Sequence, residues 1–166
     1  MLFRSAQNAD KIESQLEDAG MHILNHEVIT LEKQNANIQL IGLQDISNKD
    51  TDLSDSWELS QAQEYLDNNV NPSAFTILAC HRANLYPYLN NKKVDLMLAG
   101  HLHGGIIRFP FLGGILNVDG GFMPQYDAGF YKETDTALIV SRGCDFQWKR
   151  LRVLNGPEVV SITLKR

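Results

Sequence analysis

Three histidines stand directly after two apolar runs of the sequence, and their type and spacing are suited to metal binding. His81 follows the run AFTILAC, and His101 and His103 follow VDLMLAG as a His-x-His pair. Neutral imidazole is a common nitrogen ligand for zinc, iron, manganese and nickel. Glycines on both sides of the pair leave room for an ion to approach. The pattern predicts a metal site, and its alternative is that these histidines are solvated or satisfied in the core.

Two adjacent buried strands would bring these histidines to one edge of a sheet. Both apolar runs are short and continuous, and the segment RANLYPYLNNKK between them can form a helical crossover. This arrangement is typical of neighbouring strands in an α/β layer. Ligands in open α/β sheets gather outside the carboxyl ends of the strands. We therefore expect the three imidazoles to meet at one rim.

The first half of the chain predicts a helix, a hairpin and a second helix. Apolar residues between Ile12 and Ala19 have helical spacing, and Gly20 can end that helix. Two runs of alternating apolar and polar residues then flank residues 35–37, which is the pattern of an antiparallel hairpin. The polar segment 46–55 is interpreted as a surface loop, and SQAQEYLDNN predicts a short helix after it.

The second half predicts an irregular region followed by three strands. Glycine, proline and aromatic residues are frequent between residues 106 and 128. Alternation in GFYKET, TALIVSRG and EVVSITLKR then predicts strands, the first two joined near Thr134 and Asp135. Several aromatic residues are expected to pack the irregular region onto the core, although they could instead line a substrate pocket. They are Phe109, Phe111, Phe122, Tyr126 and Tyr131.

Composition indicates one globular domain and excludes some partners. The chain has 166 residues, of which 43% are hydrophobic and 21% charged, with a formal net charge of -5. Nucleic-acid binding requires a concentrated basic stripe, which the sequence lacks. Cys80 and Cys144 are interpreted as reduced thiols in or near the core. The chain has no apolar run of roughly 18 residues, so we expect no membrane segment in it.

The stretch FTILACHRANLYPYLNNKKVDLMLAGHLHGGIIRFPFLGG resembles the C-terminal signature of the calcineurin-like metallophosphoesterases. It is most similar to a bacterial subgroup in which G-H-x-H-G-G precedes an arginine and a Pro-Phe pair, here Arg108, Pro110 and Phe111. The resemblance extends over nearly the whole chain. It implies an α/β fold, the C-terminal half of a four-layer α/β/β/α sandwich with a mixed sheet and flanking helices. Residues 1–166 would be a single domain without the N-terminal, motif-bearing half.

The resemblance also implies a site and an activity. His81 and His101 would bind one ion of a two-metal centre and His103 the other, with Mn, Zn, Fe or Ni as the divalent metal. Such a centre clamps a phosphate group and lowers the pKa of a bridging water, which attacks phosphorus. The implied substrate is a small phosphomonoester or phosphodiester. Arg108 is a candidate phosphate contact, and its alternative is a surface arginine.

The family's first three metal-binding blocks, D-x-H, G-D-x-x-D and G-N-H-D/E, are absent from this sequence. Asn25-His26-Glu27 reproduces part of the third block, but we interpret it as a coincidence with an exposed histidine, and His22 as a strand surface residue. No catalytic residue is assigned. Three imidazoles would hold at most one ion, so we expect the isolated chain to be a weak catalyst or none.

The alternative hypothesis to a phosphoester hydrolase is that the chain is a non-catalytic remnant or a binding module that docks a partner chain. A missing half would leave an apolar face, which a second copy or another chain would cover. The expected location is the cytoplasm, or the cytoplasmic membrane through a missing N-terminal segment.

Overall fold

A mixed sheet of six strands organises the protein in the computed structural model, which describes residues 9–33, 36–45, 56–116, 121–144 and 152–165. In chain order the strands are β1 (Glu27–Lys33), β2 (Ala36–Gly42), β3 (Phe75–Arg82), β4 (Leu96–Gly100), β5 (Ile107–Phe109), β6 (Gly113–Leu116), β7 (Gly129–Tyr131) and β8 (Ala137–Val140). The helices are α1 (Ala9–Asp18), α2 (Trp57–Asn69) and α3 (Tyr86–Leu89), with a 3-10 turn at Ala83–Leu85.

The order of strands in the sheet is β1-β2-β3-β4-β8-β7, and β5 and β6 form a separate two-stranded sheet. The four central strands are parallel, while β1 and β7 pair antiparallel at the two edges. The carboxyl ends of β2, β3, β4 and β8 therefore share one edge. This topology confirms the predicted α/β fold with a mixed sheet and flanking helices, and it confirms that the two apolar runs are neighbouring strands.

The apolar core explains why these segments form their elements. Leu78 of β3 and Met97 of β4 are fully buried, as expected for central parallel strands covered on both faces. Helix α2 buries one face, on which Leu59, Ala62 and Leu66 recur at helical spacing. It begins three residues before the predicted SQAQEYLDNN. The reason is Ser56, whose side chain accepts a hydrogen bond from Leu59 N at 3.1 Å and caps the helix.

The predicted first helix and hairpin are both present. Backbone hydrogen bonds from Gly20 N to Glu17 O and from Met21 N to Leu16 O close the end of α1. Strands β1 and β2 pair from Glu27↔Gly42 to Lys33↔Ala36. Residues 36 and 37 thus belong to β2 and not to the turn, because the ladder continues to the ends of both strands. The predicted loop at 46–55 lies outside the described residues.

Two predictions about strands are wrong. His22 lies ahead of β1 and is exposed, so it is not on a strand surface. The described part of EVVSITLKR, residues 158–165, forms no strand, although β7 and β8 do form the predicted hairpin. Alternation permits a strand but does not supply the neighbouring backbone that a ladder needs. Val159 is accordingly 85% exposed.

Burial corrects two further expectations. Cys80 belongs to the core as predicted, but Cys144 is exposed. Of the five aromatic residues expected to pack, Tyr126 is buried and Tyr131 packs against the core, whereas the three phenylalanines at 109, 111 and 122 are exposed. Phe109 and Phe111 lie at or beside the turn of the two-stranded β5-β6 sheet, which cannot bury both of its faces, and Phe122 bridges to Leu116 at the opposite end of β6. None of the helices that the structure describes is long and apolar enough to span a membrane.

Candidate metal site

The rings of His81 and His101 meet at the carboxyl edge of the sheet. His81 is the penultimate residue of β3, and His101 directly follows β4. The register of these strands shifts between Ala79 and Arg82, an irregularity of the kind that re-aims a side chain. The distance from His81 Nε2 to His101 Nδ1 is 3.1 Å, and the ring planes are inclined at 73°. The structure therefore brings two of the three predicted histidines together.

The separation of these two nitrogens fits two ligands of one ion. Nitrogens that bind an ion at about 2.0–2.1 Å, with about 90–110° between the bonds, lie about 2.8–3.4 Å apart. The observed 3.1 Å falls within that interval. Over the residues that the structure describes, however, no three His, Cys, Asp or Glu side chains form a group that could hold a metal. The fit is therefore partial: two ligands are in place and a third is not assembled there.

His81 is kept in the form that binds metals. Burial of the ring holds the pKa of His81 below its ordinary value, and the nearby positive charge of Arg82 acts in the same direction, while Asp45 opposes both. A neutral imidazole has one nitrogen lone pair for a ligand, whereas imidazolium has none. His81 can thus accept a hydrogen bond or bind a cation at neutral pH.

An ion pair that the sequence analysis missed lies against the histidine pair. Arg82 Nη1 donates to His101 Nε2 at 3.2 Å, and Arg82 Nε donates to Asp45 Oδ1 at 3.0 Å. Both side chains are largely buried, at 14% and 21% exposure. Asp45 follows β2, so three neighbouring strands contribute to this cluster. The sequence does contain a pattern that could have predicted this cluster, since a polar residue follows the apolar part of each of the strands β2, β3 and β4.

His103 lies in a loop with an unusual backbone conformation. His101, His103 and Gly104 all have positive φ, at 65°, 53° and 71°, which costs energy for residues with a side chain. At Gly104 a Cβ would lie 2.5 Å from Arg142 Cγ, so only glycine fits there. Asn155, which is 3% exposed, donates its side-chain amide to His103 O at 2.7 Å and also to Gly105 O.

Arg152 contacts the ring of His103 directly. Its Nη2 donates to His103 Nδ1 at 3.0 Å and to Arg142 O at the same distance. Arg142 in turn pairs with Glu158 at 3.0 Å, and hydrogen bonds from Arg142 hold the pKa of Glu158 below its ordinary value. The segment from residue 152 to 158 therefore supports the loop of residues 101–105, which we call the histidine loop. Sequence reasoning missed it, and no pattern in the chain points to it.

Arg108, the predicted phosphate contact, has two internal partners. Its Nη1 donates to Asp127 Oδ2 and, at 3.2 Å, to Gly104 O. Asp127 is buried, and it also accepts hydrogen bonds from Gly114 N and Tyr131 OH. The guanidinium is thus attached to the histidine loop, and its contact with a phosphate stays a prediction.

Comparison with known proteins finds relatives by sequence. No family model and no solved structure matches the chain. The uncharacterized metallophosphoesterase YkuE of Bacillus subtilis (strain 168) is 36% identical over 91 residues, which is 55% of this chain and 31% of that relative. The uncharacterized metallophosphoesterase Cj0846 of Campylobacter jejuni is 36% identical over 98 residues, or 58% of this chain and 25% of the relative.

A third relative, an uncharacterized metallophosphoesterase of Aquifex aeolicus (strain VF5), is 33% identical over 100 residues, covering 58% of this chain and 35% of the relative. The chain thus spans only a quarter to about a third of the length of these three relatives. It is similar over more than half of its own length to proteins named metallophosphoesterases.

Proposed function

We propose that the chain is part of a metallophosphoesterase, a metal-dependent hydrolase of small phosphomonoesters or phosphodiesters. The sequence similarity supports the family. The proposal is assigned to particular residues because His81 Nε2 and His101 Nδ1 lie 3.1 Å apart at the carboxyl edge of the sheet. In this proposal both nitrogens bind the same divalent ion, for which Mn, Zn, Fe and Ni are the candidates.

Divalent ions bound at such a site polarise a phosphoryl oxygen and lower the pKa of a bound water. The residues of this chain supply the surroundings for that chemistry. His81, held neutral by burial, offers a nitrogen lone pair. Arg108 is proposed to bind a phosphate oxygen, because a planar guanidinium matches the geometry of that group, and its bond to Gly104 O keeps it beside the histidine loop.

His103 is proposed as a ligand of a second ion in a complete centre. Asn155 fixes its backbone carbonyl, while Arg152 Nη2 donates to its ring Nδ1 at 3.0 Å, a contact that must break before either ring nitrogen binds an ion. Because the described ranges contain no third ligand grouped with His81 and His101, we expect the chain to bind at most one ion and to turn over substrate weakly or not at all. The same observation favours the second candidate, a binding module without catalysis.

Metal titration of single-site variants tests this proposal. We expect the wild-type chain to bind one Mn²⁺ or Zn²⁺ in equilibrium dialysis, and His81→Ala and His101→Ala each to lose that ion. His22→Ala is the matched control, since it removes an exposed imidazole outside the site and should leave binding unchanged. Ion binding that is equal in all four proteins, or absent from the wild type, would contradict the proposal.

Hydrolysis of bis(4-nitrophenyl) phosphate in the presence of Mn²⁺ shows whether this chain is itself a catalyst. Turnover that disappears in His81→Ala and His101→Ala but persists in His22→Ala supports the hydrolase. An ion bound by His81 and His101 without any turnover supports the binding module.

A further inference from the structure

The outer nitrogen of His101 faces a group that is unusual beside a metal ligand. Histidines that bind metals almost always donate their second ring N–H to a carboxylate, a carbonyl or a water. Here Nε2 of His101 faces Arg82 Nη1 at 3.2 Å. A guanidinium has five N–H donors and no acceptor, and it keeps its proton in proteins. The outer ring nitrogen of His101 therefore faces a hydrogen-bond donor, whereas that of a metal-binding histidine usually faces an acceptor.

This contact determines which nitrogen of each ring carries the proton. Because Arg82 can only donate, His101 Nε2 must present its lone pair, and the proton of the neutral ring lies on Nδ1. That Nδ1–H then donates to His81 Nε2 at 3.1 Å, so His81 carries its own proton on Nδ1. Arg82, His101 and His81 form a chain of hydrogen bonds with one direction.

An ion cannot bind His101 while this contact lasts, whichever ring nitrogen it uses. If the ion takes Nε2, it competes with Arg82 for the same lone pair. If it takes Nδ1, the ring proton moves to Nε2 and opposes a guanidinium N–H at 3.2 Å. In both cases Arg82 must turn away from His101. Its Nε bond to Asp45 Oδ1 at 3.0 Å provides a partner for the charge when it does.

We propose that Arg82 sets the metal affinity of the His81 and His101 site, because its guanidinium has to leave His101 before an ion binds. The inference rests on the proposed function, since it assumes that these two histidines are metal ligands. Arg82 acts through His101 and is a positioning residue, not a ligand.

The variant Arg82→Gln tests this role in a metal titration. A glutamine side chain removes the charge, and its amide oxygen can accept a hydrogen bond from His101 Nε2–H. We expect Arg82→Gln to lower the dissociation constant for Mn²⁺ and for Zn²⁺ by about tenfold or more, the size of effect that outer partners of metal ligands have. Lys92→Gln is the matched control. It also removes one positive charge from an ion pair, the one between Lys92 and Asp67, but Lys92 precedes β4 whereas the histidine pair lies at the opposite, carboxyl end of that strand.

Nitrogen-15 NMR of the metal-free proteins gives a readout that does not depend on metal or activity. We expect the His101 proton on Nδ1 in the wild type and in Lys92→Gln, and on Nε2 in Arg82→Gln. The amide spectrum of each variant shows whether the fold is retained.

The possible outcomes are distinct. Tighter ion binding and a shifted tautomer in Arg82→Gln alone support the inference. If Arg82→Gln and the wild type bind the ion equally, or share one His101 tautomer, the inference is overturned while the proposed function stands. If neither protein binds an ion, the proposed function fails and the inference fails with it.

Discussion

Asn155 donates its side-chain amide to the backbone carbonyl of His103 at 2.7 Å, across 52 positions of the chain. The same amide group donates to Gly105 O, and the residue is almost fully buried. One side chain therefore satisfies two carbonyls of a loop whose backbone has positive φ at several residues. Strained loops persist where the surroundings over-determine them, and Asn155 is one residue that does so here.

Replacement of Asn155 should destabilise this loop. Asn155→Ala leaves the buried carbonyl of Gly105 and the partly buried carbonyl of His103 without this donor, which we expect to lower the free energy of unfolding by about 1–3 kcal/mol. Urea denaturation followed by circular dichroism measures the change. Asn69→Ala is the control, because Asn69 is exposed and donates to a single carbonyl, that of Tyr65. Equal losses in the two variants would show that Asn155 has no special role.

The pair of Arg108 and Asp127 should be important for stability. Asp127→Ala would leave the partly buried guanidinium of Arg108 without its carboxylate partner and the buried Gly114 N–H without its acceptor. We expect a loss of about 2 kcal/mol or more in the free energy of unfolding. Asp135→Ala, which removes an exposed carboxylate in the turn before β8, should cost far less. A stability for Asp127→Ala within error of wild type would refute this assignment.

Tyr126 should make the protein sensitive to alkaline pH. Burial raises the pKa of Tyr126 to about 12 from the ordinary 10.0, and its hydrogen bond to Glu133 adds to the effect. The folded state thus binds this proton more tightly than the unfolded chain. The contribution to stability is fully present below pH 10 and is lost as the pH rises towards 12.

Measurement of unfolding free energies between pH 9 and about 12 checks this sign. Stability should fall less steeply with pH in Tyr126→Phe than in the wild type. Identical slopes would mean that another group controls the alkaline transition.

The two cysteines should differ in reactivity. Burial raises the pKa of the Cys80 thiol to about 12, and the thiolate is the reactive form. Cys144 is exposed. Iodoacetamide at pH 8 should therefore label Cys144 in the folded protein and reach Cys80 only after unfolding in urea, as peptide mass spectrometry would show. Labelling of both cysteines at one rate in the native state would contradict the burial of Cys80.

Local sequence patterns were sufficient to predict the centre of the sheet and the histidine pair. The apolar runs of β3 and β4 are long enough to be buried strands, and parallel strands must end at a common edge. This constraint brings His81 and His101 together without knowledge of any distant contact. Periodicity likewise predicted α1 and the hairpin of β1 and β2, because these elements depend on residues close in the chain.

The surroundings of the site could not be derived in this way. Arg82 meets Asp45 across 37 positions and Asn155 meets His103 across 52, and a hydrogen bond needs its two groups within about 3 Å and correctly oriented. No local sequence pattern specifies which distant polar group will form a hydrogen bond with a given residue of the site. The same reason explains residues 158–165, whose alternation suits a strand although the described chain offers them no neighbouring strand. The sequence alone determined that His81 and His101 lie at the carboxyl edge of the sheet. The tertiary structure decided which other side chains contact them there, because those contacts depend on the relative positions of segments far apart in the chain.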